Sequence, residues 1–345
     1  MKRVIVIGGG FAGSYVARSL EDKFNVILID SKEYFEFTPS ILRTLVEPEH
    51  LSKIQICHRK YLKRARLIIE DVKEITSSEI ILGKLRLKFD YLVICSGSGY
   101  SSPIKDRDVV IATRGKNLLD KHRQLCEAKR VLIVGGGLVG VELAGEILDY
   151  YRDKEITLVH LNKKLIQRNS LKSIQYSEKF LKSRGVNLIL EEKLIGKKSK
   201  NTYITDKGTL IKSDIIFLCT GISPQFGFMK KNLRDSLTDK NHIRVNDFLQ
   251  VYDFRNIFSA GDITSIVEEK TAQNAEEQAK IVVANIINLE EGRKLKRYES
   301  SKRAMVISLG KHDGIFEKGN FVLRGKIPSI LKDLIEWKEM RKFRT

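Results

Sequence analysis

Residues 3–30 of the chain read RVIVIGGGFAGSYVARSLEDKFNVILID. The stretch opens with an apolar run rich in β-branched side chains, which predicts a strand. The run leads into residues 8–13, which match the pattern G-x-G-x-x-G, and then into helical spacing that continues to Leu20. A second apolar strand follows and ends on Asp30. A strand, a glycine turn, a helix and an acid-ended strand in this order predict a dinucleotide-binding unit.

Each glycine of that pattern has a physical purpose in holding a dinucleotide. Gly8 permits the tight turn, Gly10 lets the backbone approach a pyrophosphate, and Gly13 lets the helix and the strand pack closely. The pyrophosphate then meets the free N–H groups and the positive dipole end of the helix. Asp30 is placed to accept hydrogen bonds from ribose hydroxyls. We therefore predict that FAD binds here, at Gly8, Gly10, Phe11, Ala12, Gly13 and Asp30.

The same arrangement recurs in the middle of the chain. An apolar strand at 130–134 precedes GGGLVG at 135–140, a helix through Glu146, and a strand at 155–159. One such match can be a structural accident, but two in full context indicate two dinucleotide sites. A protein that binds two dinucleotides typically moves a hydride between them. We assign the second site to NADH or NADPH, at Gly135, Gly137, Leu138, Val139 and Gly140.

The second site lacks the acid of the first. Its second strand ends on His160, and Lys163 and Lys164 follow. An acid at this position favours the free 2′-hydroxyl of NADH and repels a 2′-phosphate. We therefore expect His160 to bind the cofactor and the protein to use NADPH as well as NADH. The alternative is that His160 is only a polar strand end and that the two lysines are solvated.

Three further apolar strands end in small residues, at 91–97 (YLVICSG), 215–221 (IIFLCTG) and 258–262 (FSAGD). An aspartate at the last of these ends can bond the ribityl chain of a flavin, and the helix that follows can point its N-terminus at the flavin ring. We assign Ser96, Gly97, Thr220, Gly221, Gly261 and Asp262 to cofactor binding. The last strand then returns to the first unit. We expect an α/β fold with two nested Rossmann-like domains: FAD-binding at 1–112 and 243–295, NAD(P)H-binding at 113–242, and a C-terminal segment at 296–345.

Composition places this fold in a basic protein without an apolar span. Hydrophobic residues make up 42% of 345 residues, and no run reaches the ~18–20 apolar residues of a membrane-spanning helix. The N-terminus has no signal-peptide pattern, so we expect a cytoplasmic protein. The formal net charge of +19 fits either a solvated surface or attraction to anionic lipid, nucleic acid or an acidic partner. We assign no metal ligands.

The chain resembles the pyridine nucleotide-disulfide oxidoreductase superfamily over nearly its full length. Residues 8–13, 135–146, 220–222 and 260–262 carry this resemblance. Residues 158–160 (LVH), 308–314 (SLGKHDG) and 337–341 (WKEMR) resemble the ferroptosis-suppressor branch of the apoptosis-inducing-factor family. Residues 36–39 (EFTP) and 271–278 (TAQNAEEQ) resemble type II NADH dehydrogenases. The resemblance implies non-covalent FAD, oxidation of NAD(P)H, and reduction of a quinone at a membrane surface.

This resemblance also implies where the chemistry takes place. Hydride would pass from NAD(P)H to the flavin, and the quinone would approach near Lys270, Ala272 and Gln273. Glu277 stands where the relatives have a glutamine. Glu142, which we expect in the first turn of the second helix, would orient the nicotinamide or relay protons; the alternative is that it complements the helix dipole. Further cofactor contacts are assigned to Ser31, Lys32, Pro39, Val72, Thr271 and Ala272.

The pattern of cysteines indicates how electrons leave the flavin. Disulfide reductases and sulfide:quinone reductases of this superfamily need paired cysteines near the flavin, whereas Cys57, Cys95, Cys126 and Cys219 form no C-x-x-C pair. Cys95 and Cys219 fall inside apolar strands and are expected to be small core residues. Electrons would therefore leave the flavin directly. A reductase of an acidic ferredoxin-like or rubredoxin-like carrier, and a basic redox-signalling or nucleic-acid-binding flavoprotein, are the alternatives to a quinone reductase.

The C-terminal stretch 327–344 reads IPSILKDLIEWKEMRKFR. Its apolar residues recur mostly every three or four positions, at Ile330, Leu331, Leu334, Ile335, Trp337 and Met340, and basic residues fill much of the rest. The pattern predicts an amphipathic basic helix that lies on an anionic membrane surface, at the inner face of the cell membrane. The alternative is a helix that packs on the body of the protein or on a partner in a homodimer.

Overall fold

Two parallel sheets, each built on one glycine turn, organise the chain. The fold is that of a computed structural model, which describes residues 1–99, 111–301 and 303–344. In chain order the described strands are β1 (Arg3–Ile7), β2 (Asn25–Asp30), β3 (Tyr34–Glu36), β4 (Gln55–Cys57), β5 (Arg66–Ile69), β6 (Glu74–Ile75), β7 (Glu79–Leu82), β8 (Leu85–Lys88), β9 (Tyr91–Ile94), β10 (Ser98–Gly99), β11 (Arg130–Val134), β12 (Glu155–His160), β13 (Asn187–Leu190), β14 (Leu194–Ser199), β15 (Thr202–Thr205), β16 (Leu210–Lys212), β17 (Ile215–Leu218), β18 (Ser223–Pro224), β19 (Ile257–Ser259), β20 (Met305–Ser308), β21 (Gly314–Lys318) and β22 (Phe321–Arg324). The described α-helices are α1 (Phe11–Leu20), α2 (Leu51–Ile54), α3 (Ile111–Glu127), α4 (Leu138–Tyr150), α5 (Leu171–Ser183), α6 (Ala272–Glu290) and α7 (Lys326–Arg341).

The first sheet has the strand order β19-β9-β1-β2-β5, and all its strands are parallel. Its strands are apolar almost throughout because both faces are covered. On one face α1 and α6 pack through residues such as Val16, Leu20 and Val282. On the other face the antiparallel sheet β6-β7-β8 contributes Ile75 and Ile80 to the core. The glycine turn therefore lies at the carboxyl edge of a sheet whose two faces are both covered.

The second sheet repeats this architecture with the order β13-β12-β11-β17, again all parallel. α4 follows β11 and buries Val141, Leu143 and Ile147. The predicted α/β fold with two Rossmann-like units is thereby confirmed. The strand β19, far along the chain, does pair with β9 of the first sheet, as expected. The domain boundaries remain predictions, and the first of them adjoins residues 100–110, which lie outside the described residues.

The C-terminal segment packs on both units. The antiparallel sheet β20-β21-β22 carries α7, and its Ile307 and Ile315 share one core with Leu143 of α4. Near the end of the chain, Met340 and Phe343 enter the same core. α7 follows Gly325, which has φ +99°. Among the described residues, no helix is long and apolar enough to cross a membrane.

Candidate functional site

At two positions of the first glycine turn, the backbone leaves no space for a side chain. Gly8 has φ +93°, and a Cβ there would lie 2.3 Å from the carbonyl oxygen of Cys95. A Cβ on Gly13 would lie 1.7 Å from the carbonyl oxygen of Gly8, which is how closely α1 passes the turn. Gly10 differs, because a Cβ there would meet no atom within 4 Å. The backbone at Gly10 thus faces an open cradle at the N-terminus of α1, which fits a pyrophosphate.

Asp30, at the end of β2, is held both by this turn and by a buried histidine. Its Oδ2 accepts a hydrogen bond from Gly9 N (2.6 Å), and its Oδ1 accepts one from Lys32 N (3.0 Å). His58 Nε2 lies 3.3 Å from Asp30 Oδ2, and His58 Nδ1 lies 2.5 Å from the Tyr61 hydroxyl. Burial by itself raises the pKa of Asp30, but His58 and Lys32 more than offset it and leave the pKa below its usual value. Asp30 is therefore an ionised acceptor in a fixed position.

An aromatic cluster covers the region behind Asp30, and the C-terminal tail completes it. The Phe343 ring stacks on Phe35 with 4.2 Å between centroids and meets Tyr61 edge-on at 4.9 Å. The Arg18 guanidinium lies 5.3 Å from the centroid of Phe343. Phe11, at the start of α1, contacts Phe35 edge-on at 5.1 Å. No sequence motif marks His58, Tyr61 or Phe343, so sequence reasoning missed all three.

The second glycine turn copies the backbone of the first. Gly135 has φ +112°, and a Cβ there would lie 2.3 Å from the carbonyl oxygen of Cys219. A Cβ on Gly140 would lie 1.9 Å from the carbonyl oxygen of Gly135, whereas one on Gly137 would meet no atom within 4 Å. The open cradle therefore recurs at the N-terminus of α4. The residues present fit a second dinucleotide as well as they fit the first.

His160 takes the place of the acid in the second turn. Its Nδ1 accepts a hydrogen bond from Gly136 N at 3.1 Å, the counterpart of the bond from Gly9 to Asp30. An accepting Nδ1 carries no proton. Burial lowers the pKa of His160, with a backbone hydrogen bond to Lys164 acting in the opposite direction, so the ring is neutral near pH 7. The side chains of Lys163 and Lys164 are exposed. The turn thus offers a neutral acceptor and nearby positive charge.

The carboxyl ends of the two sheets are hydrogen-bonded to each other. β10, which follows β9, pairs with β18, which follows β17. Beside this pair the Ser96 hydroxyl donates to the Gln225 carbonyl oxygen (2.7 Å), and Gln225 N donates to the Gly97 carbonyl oxygen (3.0 Å). The predicted residues Thr220 and Gly221 lie in the short connection between β17 and β18. The segments that follow β9 and β17, one from each sheet, are therefore hydrogen-bonded to each other and form one region, which we call the joined region.

Predicted flavin contacts from three segments of the chain converge beside this region. The Ser98 hydroxyl donates to Asp262 Oδ2 at 2.6 Å, which ties the end of β19 to β10. A Cβ on Gly261 would lie 3.7 Å from the Cβ atoms of both Ala12 and Ala275. The start of α1, the turn at 261–262 and the start of α6 therefore meet. The Thr271 hydroxyl caps α6 by accepting a hydrogen bond from Asn274 N at 3.2 Å.

Lys270 and Gln273 lie at the start of α6, where the sequence predicts the quinone. The Lys270 ammonium donates to the carbonyl oxygens of Thr264 (2.8 Å) and Ile266 (3.0 Å). Burial lowers the pKa of Lys270, against the attraction of Asp262. Gln273, in the first turn of α6, is exposed. The structure thus brings Lys270 close to Asp262 and leaves Gln273 open to a ligand from outside.

Glu142 does not occupy its predicted position. α4 begins at Leu138 and has no acid in its first turn, so Glu142 falls in the second. Its Oε1 accepts hydrogen bonds from Lys332 Nζ (2.6 Å) and from Ser308 N (2.9 Å), both in the C-terminal segment. This position does not favour the alternative that Glu142 complements the helix dipole, because that field acts over the first turn. A contact with the nicotinamide stays a prediction.

A buried polar junction next to Glu142 was not expected from the sequence. Arg43 Nη1 lies 2.8 Å from Asp333 Oδ1 of α7, and its Nε lies 3.8 Å from Glu146 Oε2 of α4. The Ser308 hydroxyl donates to Glu146 Oε1 at 2.9 Å. Burial raises the pKa of Glu146, against the attraction of Arg43 and Lys332. The spacing of these residues in sequence follows no pattern. The junction is visible only in the tertiary structure, where the segment around Arg43, helix α4 and the C-terminal segment pack together.

The remaining predicted cofactor residues lie on several different elements. Ser31 and Lys32 follow β2, Pro39 lies in the 3₁₀ helix Thr38–Leu45, Val72 follows β5, Ala272 opens α6, and Leu138 and Val139 open α4. Whether each one touches a cofactor stays a prediction.

Comparison with known proteins identifies relatives over nearly the full chain. A family model described as pyridine nucleotide-disulphide oxidoreductase matches residues 2–279. Apoptosis-inducing factor homolog B of Dictyostelium discoideum is 34% identical over 346 residues, which cover 91% of this chain and 89% of the relative. Human ferroptosis suppressor protein 1 is 31% identical over 359 residues, which cover 98% of this chain and 95% of the relative.

Solved structures share the whole architecture. NDH2 from Plasmodium falciparum, in complex with NADH, has a TM-score of 0.85 at 14% identity and covers 99% of this chain and 96% of its own. The sulfide:quinone oxidoreductase of Aquifex aeolicus has a TM-score of 0.84 at 19% identity and covers 100% of this chain and 92% of its own. At such identities the likeness concerns the fold.

Proposed function

The chain belongs to the pyridine nucleotide-disulphide oxidoreductase family, whose members use FAD and NAD(P)H, and from this premise we propose that it is an NAD(P)H:quinone oxidoreductase acting at a membrane surface. The observation that carries the proposal is the joined region between the sheets, where β10 pairs with β18. Because both turns open toward the carboxyl edges that this pair connects, two bound dinucleotides can meet there. The enzyme resembles type II NADH dehydrogenases in pumping no protons.

The residues of the chain divide the work of holding the two cofactors. Gly8, Gly10 and Gly13 with Asp30 would hold FAD, and Gly135, Gly137 and Gly140 with His160 would hold NAD(P)H. Bound FAD supplies a carrier that accepts a hydride and returns two electrons. The protein contributes placement, because hydride transfer depends on close and parallel positioning more than on acid–base groups. The rigid backing of each sheet supports that placement.

The cysteines support direct transfer from the flavin to an acceptor. All four are free, and the one nearest the first turn, Cys95, is buried. Burial raises the pKa of Cys95 to about 12, so it stays a thiol near neutral pH. A buried, single thiol cannot relay electrons through a disulfide. An acceptor that binds next to the flavin is therefore required, and a quinone is such an acceptor.

The proposed quinone-binding position is the N-terminal end of α6. The Thr271 hydroxyl caps this helix, and Lys270 and Gln273 lie on either side of the cap in sequence. These groups can stabilise negative charge that develops on quinone oxygens during reduction. Glu277, which replaces a glutamine of the relatives, pairs with Lys280 at 2.7 Å. We therefore assign quinone contact to the first turn of α6 and not to Glu277.

α7 supports contact with a membrane. One side of the helix packs on the protein through Pro328, Glu336 and Met340, so the alternative of packing on the body holds for that side. The opposite side presents Ile327, Ile330, Leu334 and Trp337, each 55–62% exposed. The Arg341 guanidinium lies 5.2 Å from the Trp337 ring. An exposed apolar stripe with basic neighbours fits the interface of an anionic bilayer at the cytoplasmic face.

An acceptor comparison tests the enzymatic proposal. The FAD-loaded protein would oxidise NADH in the presence of a short-chain ubiquinone, menadione, ferricyanide, an acidic ferredoxin or oxygen alone. We expect the highest kcat/KM with a quinone, and a Gln273→Ala variant should raise the KM for the quinone while leaving that for NADH unchanged. Faster turnover with the ferredoxin, or with oxygen alone, would favour a carrier reductase or an oxidase instead.

Flotation with liposomes tests the membrane surface. Wild-type protein should float with vesicles that contain anionic lipid, and Leu334→Glu with Trp337→Glu should abolish this. Leu210→Glu is the matched control, because Leu210 is 53% exposed on β16, away from α7. Equal flotation of the α7 variant and the control would show that the exposed apolar side of α7 does not bind the membrane.

A further inference from the structure

Cys126, near the end of α3, is exposed and has a histidine beside it. The sulfur lies 3.4 Å from His122 Nε2, and His122 Nδ1 lies 2.9 Å from the carbonyl oxygen of Leu45. A carbonyl oxygen only accepts, so Nδ1 carries the ring proton and Nε2 presents its lone pair to the thiol. A thiol, a base within hydrogen-bond reach and a third group that orients the base form the arrangement of an activated nucleophile.

Two more side chains lie against Cys126. The Tyr151 hydroxyl lies 3.2 Å from the sulfur, and burial raises the pKa of Tyr151, so this hydroxyl remains a donor. The Lys154 ammonium donates to the carbonyl oxygens of Cys126 (3.1 Å) and Ala128 (2.6 Å), and it lies 4.5 Å from the centroid of the Tyr151 ring. The Lys154 charge is therefore fixed beside the backbone of Cys126 and the ring of Tyr151.

Tyr151 and Lys154 also line a surface cleft of about 490 Å³. The cleft has further basic walls at Arg152, Arg184 and His312, and one acid, Asp149. Asp149 Oδ1 pairs with Arg184 at 2.8 Å, and Asp149 Oδ2 accepts a hydrogen bond from His312 N at 3.2 Å. Both carboxylate oxygens of Asp149 are thus bound by groups of the cleft itself. The cleft keeps an excess of positive charge, which suits a ligand with carboxylates.

The other cysteines lack this combination. Cys95 and Cys219 are buried, and burial raises the pKa of each to about 12. Cys57 is half-buried in β4, where it pairs with Tyr34 of β3. Cys126 is the only one of the four that is exposed.

We propose that Cys126 is a modification site that forms a mixed disulfide with a small anionic disulfide of the glutathione type. The Cys126 thiolate, its proton taken by His122, attacks one sulfur of the small disulfide. A bond forms between that sulfur and Cys126, and the S–S bond of the small disulfide breaks. The departing thiolate takes the electron pair and the proton from His122. The carboxylates of the bound half lie toward the basic cleft. This chemistry is independent of NAD(P)H oxidation and goes beyond it.

Timed mass mapping of the FAD-loaded wild-type protein tests the site. The protein is exposed to oxidised glutathione at neutral pH, quenched with acid and digested, and the adduct on each cysteine is measured. We expect Cys126 to react at least about tenfold faster than Cys57, because it is exposed and has a base beside it. Equal or faster reaction of Cys57 would overturn the proposal. Cystamine, a cationic disulfide, should modify Cys126 more slowly than oxidised glutathione does; equal rates would refute the anionic preference.

Variants separate the base from the cleft. His122→Ala should slow modification of Cys126 by about tenfold or more, since it removes the proton acceptor. Arg152→Glu should slow the reaction with oxidised glutathione but not that with cystamine. Each variant is compared with wild type for its melting temperature and flavin spectrum. A well-folded His122→Ala protein that reacts at the wild-type rate would disprove the role of the base, and if it does not fold, the wild-type comparison of the two disulfides still decides.

Discussion

The two glycine turns share a backbone and differ in what lies behind them. In each, the first glycine has a positive φ, the third lets the helix pass close to the turn, and the middle one faces open space. Behind the first turn, Asp30 is ionised and lies beside a buried histidine. Behind the second, His160 is a neutral acceptor. The same fold thus presents a fixed negative charge to one dinucleotide and none to the other.

The residues that surround the two turns also differ in packing and in charge. The first is backed by the aromatic cluster that Phe343 completes, so the C-terminal segment supports the predicted FAD site. The second is bordered by the exposed Lys163 and Lys164. A packed aromatic backing suits a cofactor that stays bound, whereas an exposed basic border suits a substrate that must enter and leave. This contrast leads to four predictions.

The largest effect is expected from adding a methyl group at the middle glycine of each turn. Gly10→Ala has room for its Cβ, but the group lies where a pyrophosphate must approach, so the purified protein should be folded and colourless. Gly137→Ala should stay yellow and show a KM for NADH raised by about tenfold or more. Gly227→Ala, also with no atom within 4 Å of the added Cβ, is the control. Loss of FAD from Gly137→Ala would reverse the assignment of the two sites.

Removing the C-terminal cover should weaken the first site. Phe343→Ala deletes a buried ring that stacks on Phe35, and we expect it to lower the free energy of unfolding by about 3 kcal/mol and to speed release of FAD. Phe321→Ala, at a residue that is 61% exposed, should change stability by less than about 1 kcal/mol. Thermal unfolding and flavin fluorescence measure both effects. Equal melting temperatures for the two variants would show that the tail does not support the FAD site.

Restoring the acid should make the second site more like the first. His160→Asp can still accept the hydrogen bond from Gly136 N, but its charge repels a 2′-phosphate. We expect kcat/KM for NADPH to fall about tenfold relative to that for NADH, or ~1.4 kcal/mol. Steady-state kinetics with both cofactors provide the ratio. An unchanged ratio would mean that the strand end does not contact the 2′ position.

The smallest effect is expected from pH. The pKa of His160 is lowered by burial, so its neutral form supports the turn above the ordinary value of ~6.5, and this support is lost as pH falls through the lowered pKa. The pKa of Asp30 is also lowered, so its support is lost only below ~4. From pH 7 to 5 the KM for NADH should rise about threefold while FAD stays bound. His160→Asp should flatten this rise; if its profile matches that of wild type, another group causes it.

Local patterns predicted much of this structure correctly. The strands at β1, β2, β11 and β12 and the helices after each turn follow from short apolar runs and glycine spacing, because both signals act between near neighbours in sequence. The burial of Cys95 and Cys219 was likewise expected from the apolar strands that contain them. Even the return of β19 to the first sheet could be inferred from its ending on Gly261 and Asp262.

Contacts between distant segments could not be predicted in this way. Glu142 was expected in the first turn of α4, whereas the structure places it in the second turn and pairs it with Lys332, far along the chain. The predicted apolar face of α7 divides into a packed side and an exposed one, because the sheet β20-β21-β22 covers only part of it. Periodicity reports that a face is apolar but not which neighbour covers it.

By itself, the sequence determined that the chain forms two dinucleotide units and that only the first has an acid. These properties reside in single positions such as Gly8, Asp30 and His160, whose chemistry is local. The tertiary structure decided how those positions are supported. It placed His58 against Asp30, brought Phe343 behind the first turn, and joined the two carboxyl edges through β10 and β18. Such contacts depend on packing free energy summed over the whole core, and no short stretch of sequence encodes that sum.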